Sequence, residues 1–159
     1  MKSINTFITE KLNISKNNKY NDIIKYYPQT RDELAECIKE HLNNGNSDLT
    51  DIDVSNVKSF NSIFRRMSRP GYREFNEIDV TGWNTSSVID MSRMFFNCFK
   101  LEKIKGIEDW DVSNVDSMRS MFYNCHKLQL DISSWNIKPE CDVAKIVYEA
   151  EHINLPKLY

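Results

Sequence analysis

Cys98 and Cys125 most invite a chemical reading, because each closes an Asn-Cys pair and His126 directly follows the second. A thiolate beside an imidazole suits nucleophilic catalysis, and cysteine with histidine suits zinc. The spacing argues against both. No CxxC pair is present, and His41, His126 and His152 are scattered along the chain. Neighbours i and i+1 on a helix also face different ways. The two cysteines read instead as small core residues filling one slot of successive repeats. Asp48, Asp51 and Asp53 resemble loosely spaced calcium ligands, but the glycine and distal glutamate of an EF-hand loop are missing in register. They read as caps and turn formers. No Ser–His–Asp order, HExxH motif or Gly-rich phosphate loop occurs. The expectation is a chain with no catalytic residue, no metal and no cofactor.

A second candidate is a basic insert. Arg65, Arg66, Arg69, Tyr72 and Arg73 fall where the interval between equivalent valines stretches, from 27 residues (Val88 to Val115) to 31 (Val57 to Val88). Arginine and tyrosine bring large contact areas and several donors, as protein interfaces favour. The same mix can hold phosphate or an RNA strand. A third reading is a solvated loop whose arginines pair with Glu74, Glu77 and Asp79. A third candidate is the strand face. If Ile78, Ile104 and Ile132 point inward, then Glu77, Asp79, Lys103, Lys105, Asp131 and Ser133 point outward.

The elements that must position these residues repeat. Trp83, Trp110 and Trp135 are spaced by 27 and 25 residues. NTSSVIDMSRMFFNCFKL follows the first and DVSNVDSMRSMFYNCHKL the second, matching position for position. Ile52 begins a weaker first copy, with Phe60, Ile63, Phe64 and Met67 in its later slots. A fourth follows Trp135, with Val143, Ile146, Val147, Ala150 and Ile153 in its slots. Phe75–Val80 and Leu128–Ile132 alternate apolar and polar, the mark of a half-buried strand. Met-x-x-Met-Phe-x-x-Cys puts apolar residues at i, i+3, i+4 and i+7, which predicts one face of a short helix. One strand and one short helix cannot form a core alone, but stacked copies can. The predicted core includes Trp83, Trp110, Trp135, Met94, Phe95, Met121, Phe122, Cys98 and Cys125.

Before the repeats, Ile4, Phe7, Ile8 and Leu12 predict a short helix near 3–12, and Asn13–Asn21 reads as a loop. A firmer helix is predicted over 31–43. Thr30 is its N-cap, Glu33 completes a capping box, and Gly45 is the left-handed terminator. The domain reading is an N-terminal helical cap over 1–48 and a repeat array over 49–159.

The chain has 159 residues, 40% apolar and 28% charged, as in an ordinary globular protein. A net charge of −2 supplies no whole-chain field for nucleic acid or an anionic membrane. MKSINTFITEKLNISK lacks the h-region and cleavage site of a signal peptide, and no stretch nears a membrane span. Free thiols and a cytoplasmic setting are expected, without a membrane partner.

The block from Trp110 to Leu128 resembles the repeat of the BspA-type leucine-rich-repeat proteins, also described as a mycoplasma-lipoprotein-like repeat of about 25 residues. The resemblance covers roughly 49–153. It implies an α/β leucine-rich-repeat-like solenoid, here of about four strand–helix units, binding proteins or surfaces without catalysis. INTFITEKLNI and YYPQTRDELAECIKE are further similar to proteins of gut Bacteroidales and their tailed phages. The function expected is protein–protein interaction, through the insert or the strand face. A phage or mobile-element origin would suit a virion accessory protein or an inhibitor of a host defence protein. The alternative is nucleic-acid binding through the insert.

Overall fold

The computed structural model describes residues 26–65 and 75–158. The helix expected at 3–12, the loop at 13–21 and Arg66, Arg69, Tyr72 and Arg73 of the insert lie outside the described residues.

Helix α1 spans Arg31–Asn43, as its end signals predict. The Thr30 hydroxyl accepts the Glu33 N–H at 3.2 Å, satisfying one of the orphan donors of the first turn. The Glu33 carboxylate reaches back to the N–H of Gln29 at 2.9 Å, one residue before the position a capping box would use. Gly45 (φ 78°) ends the helix, and Asn46 N–H closes on the His41 carbonyl. Leu34, Cys37, Ile38 and Leu42 face inward and share one buried cluster with the repeats. Before α1, Tyr26 forms a parallel bridge with Ile52.

The repeats are joined by parallel pairing. Strand β1 (Glu77–Asp79) pairs with β2 (Lys103–Lys105), Ile78 opposite Ile104. Strand β3 (Leu130–Asp131) pairs with β4 (Ile153–Asn154). Ile78, Ile104 and Ile132 are buried, so the period-two reading of the strands holds. A second ladder runs through the bridges Ser59↔Asp90, Asp90↔Ser117 and Ser117↔Asp142.

The short helix expected at Met-x-x-Met-Phe-x-x-Cys does not form. Residues 91–98 and 118–125 are consecutive turns, with left-handed φ at Arg93, Asn97, Ser120 and Asn124. The reason lies in how the main-chain donors are shared. Met94 and Cys98 N–H close onto Met91 and Phe95 within the repeat. Met91, Arg93, Phe95 and Asn97 donate to the carbonyls of Ser117, Arg119, Met121 and Tyr123 in the next repeat. A helix would consume all of these donors internally and leave none to bind its neighbour. Two four-residue turns gather Met91, Met94, Phe95 and Cys98 on the core side as well as a helix would, so the side-chain pattern is the same for both.

Between the ladders sits the core. Trp83 stacks on Trp110 with ring centroids 6.0 Å apart, and Trp110 on Trp135 at 6.4 Å. Phe95 lies between Phe64 at 4.9 Å and Phe122 at 5.6 Å. Met94, Met121, Cys98 and Cys125 fill the remaining slots and are buried. Aspartates bind the turns: Asp111 accepts the Ser113 N–H and hydroxyl, and Asn84 does the same for Ser86 one repeat earlier.

Candidate interaction surface

Outside the buried phenylalanines runs a second aromatic column. Phe96, Tyr123 and Tyr148 occupy the position just after Phe95, Phe122 and Val147, so the second, third and fourth repeats each place one ring outside the buried layer, Phe96 and Tyr123 half-buried and Tyr148 exposed. Phe96 stacks on Tyr123 at 4.9 Å and Tyr123 on Tyr148 at 4.7 Å, all within 12° of parallel. Arg65, in the same slot of the first repeat, lies over Phe96 at 5.0 Å, a cation–π contact. Lys145 reaches over the Tyr148 ring at 5.9 Å. Phe99 (41% exposed) and His126 form a shorter parallel column at 6.0 Å. Beneath the rings, Asn124 donates its side-chain amide to Asn97 at 3.0 Å, and both hold left-handed backbone that asparagine tolerates well.

The stacking fixes what the column can do. Each interior ring uses its faces on its neighbours, which leaves ring edges and the Tyr hydroxyl for a partner. Edges and hydroxyls suit packing and hydrogen bonding against a protein surface. Nucleobases need free ring faces.

The structure brings together only part of the expected site. Arg65 joins the aromatic column, and among the described residues the ion-pair partner of Glu77 and Asp79 is Lys105. The outward face of β1 and β2 is largely self-satisfied: Lys105 Nζ pairs with Glu77 at 2.6 Å and approaches Asp79 at 4.0 Å. The Glu77 hydrogen bond raises the Lys105 pKa, and the same bond lowers that of Glu77. Lys103 is exposed beside them.

The residues weighed for chemistry have separate environments. The Cys125 thiol donates to the Phe95 carbonyl at 3.1 Å, and burial pushes its pKa up, which disfavours the thiolate. His126 sits on the exterior, stacked on Phe99. Asp48 turns on Thr50 and Asp53 on Ser55, while Asp51 pairs with buried His41 at 2.9 Å. Among the described residues, no group of three His, Cys, Asp or Glu side chains is placed to hold a metal, and no helix is long and apolar enough to cross a membrane.

The aromatic column was missed in the sequence, although its signal was present. MFFNC, MFYNC and IVYEA align an aromatic at one slot, next to the slot read as core.

A family model described as Mycoplasma protein of unknown function, DUF285, matches residues 32–157, spanning α1 and every repeat. No curated protein and no solved structure matches the chain.

Proposed function

Since the chain belongs to the DUF285 family, we propose that it is a non-enzymatic interaction scaffold: a leucine-rich-repeat-like solenoid whose outer aromatic column contacts a partner protein. The observation that carries this reading is the column itself, Arg65, Phe96, Tyr123 and Tyr148 in register on the exterior. Aromatic and arginine side chains dominate binding energy at protein interfaces. Prestacked rings lose little freedom on docking. A cytoplasmic setting fits the buried free thiols. Within this reading, an origin in gut Bacteroidales or their phages would make a virion accessory protein or an inhibitor of a host defence protein suitable roles.

The test is affinity recovery from cell lysate with three baits of verified fold: wild type, Phe96→Ala/Tyr123→Ala, and Arg65→Glu/Arg66→Glu/Arg69→Glu/Arg73→Glu. A specific protein held by wild type and lost from the aromatic double variant is expected. Loss from the arginine variant alone would move the contact to the insert. Recovery of nucleic acid, weakening steeply with salt and lost with the arginines, would favour the nucleic-acid reading instead. An empty wild-type bait would remove the scaffold reading.

A further inference from the structure

The aromatic column is surrounded by charge of one sign. A cation lies over a ring at each end, Arg65 over Phe96 and Lys145 over Tyr148. Arg93 begins the turn that ends at Phe96, whose N–H closes on the Arg93 carbonyl at 3.2 Å. Arg119 lies beside it in the next repeat, its carbonyl accepting the Arg93 N–H at 2.9 Å. Arg65, Arg93, Arg119 and Lys145 are all exposed. Residues 91–101 and 118–128 together hold four Lys or Arg and no Asp or Glu, in a chain where acids outnumber bases 23 to 21. Two of the four meet carboxylates from outside these stretches: Arg119 pairs with Asp142 and Lys127 with Glu102, each at 3.3 Å. Both pairs are solvent-exposed, so a partner can replace them at little cost.

The rings carry the same sign to a partner. An aromatic ring is negative on its faces and positive at its edge. The faces are taken up by stacking and by the cations at the ends. What remains for contact is positive edge, Tyr hydroxyl donor and guanidinium or ammonium. Every one of these groups favours a negatively charged acceptor.

We propose that this face docks a segment of a partner protein rich in Asp and Glu, centred on the second and third repeats. Carboxylates of the partner reach Arg93 and Arg119 and lie along the edges of Phe96 and Tyr123. Glu149 and Glu151, both exposed, reverse the charge at the fourth repeat and bound the footprint there. Matching of opposite charge sets which partner is accepted and how fast it arrives. Nucleic acid is also negative, but its bases stack on free ring faces, which this column lacks. The inference rests on the interaction reading above and names the chemistry of the partner.

The probes are an oligoglutamate peptide, an oligolysine peptide and an oligouridylate of matched length. Each is titrated at low salt into the intact chain, and amide and aromatic NMR shifts are followed residue by residue. Millimolar oligoglutamate should move the signals of Arg93, Phe96, Arg119 and Tyr123, and oligolysine should not. Raising the salt from about 0.02 M to about 0.2 M should weaken the binding at least about fivefold. Arg93→Gln/Arg119→Gln, with its core signals unmoved, should bind oligoglutamate at least about tenfold more weakly. No shift at millimolar oligoglutamate overturns the proposal. Shifts that gather on the strand face around Lys103 and Lys105 also overturn it. Tighter binding of oligouridylate at the same four residues would make the occupant nucleic acid. A lysate partner lost from Phe96→Ala/Tyr123→Ala but kept by Arg93→Gln/Arg119→Gln would sink the acidic partner and leave the scaffold standing. An empty wild-type bait would sink the scaffold, and this inference with it.

Discussion

Trp83 and Trp110 stack with their ring planes 4° apart, yet their indole nitrogens have different fates: Trp83 donates to the Leu49 carbonyl at 2.9 Å, and Trp110 Nε1 is buried without a partner among the described residues. Equivalent slots in equivalent repeats thus differ by one hydrogen bond. Replacing either ring with phenylalanine removes similar volume. Trp83→Phe additionally loses a bond, whereas Trp110→Phe relieves an unsatisfied donor. Trp83→Phe should be the more destabilising by about 1 kcal/mol in urea unfolding. Trp110→Ala should cost about 3–5 kcal/mol, since the whole layer opens. A loss under about 1 kcal/mol for the alanine variant would refute the stacked-layer account.

Gly82 and Gly106 both have left-handed backbone, φ 81° and 79°, but different surroundings. A Cβ at Gly82 meets nothing within 4 Å, so Gly82→Ala should cost only the left-handed penalty, about 1–2 kcal/mol. At Gly106 it would meet Thr81 Cα at 2.5 Å and Thr81 N at 2.7 Å, backbone atoms of the turn that follows β1. Gly106→Ala should therefore cost about 1–3 kcal/mol more than Gly82→Ala. Thermal midpoints of the two variants would check the order.

Acid should weaken the fold through its turns. Hydrogen bonds from Ser113 hold the Asp111 carboxyl below its ordinary pKa, and those from Thr50 and Ser133 do the same for Asp48 and Asp131. A depressed folded pKa adds stability above the unfolded value, near pH 3.9, and that stability is lost as pH falls through the lower folded value. Urea midpoints should be level from about pH 7 to 5 and fall below about pH 4. Asp111→Asn keeps the turn, as Asn84 does in the preceding repeat, but removes the titration. Its midpoint should fall less steeply with acid than that of wild type.

The cysteines should be unreactive until the chain unfolds. All four are buried. Burial, with Glu40 and Glu33 nearby, pushes Cys37 up to about 12, and burial raises Cys125 and Cys141. At pH 8 Cys37, Cys125 and Cys141 offer almost no thiolate to an alkylating reagent, and burial shields Cys98 from it. Mass spectrometry should find none of the four modified in native protein and all four after urea. Rapid native labelling of Cys125 would reopen the nucleophile reading.

What the sequence determined by itself was the beat and the chemistry of each slot. Tryptophan spacing, the Met/Phe/Cys pattern and the Asp-x-Ser turns are periodic, and periodicity is written in one dimension. Helix α1 was legible to its ends because Thr30, Glu33 and Gly45 act on neighbours a few residues away. The conformation of the Met-x-x-Met-Phe-x-x-Cys segment was decided only in the tertiary structure. Helix and paired turns present the same side chains inward, and the choice rests on whether Met91, Arg93, Phe95 and Asn97 donate within their repeat or to the next one. The outer column has the same origin. Phe96, Tyr123 and Tyr148 lie 27 and 25 residues apart in the chain, and only the stacking of repeats brings their rings within 5 Å. Contacts between residues far apart in sequence form when the repeats close on one another, and that is where the candidate surface comes into being.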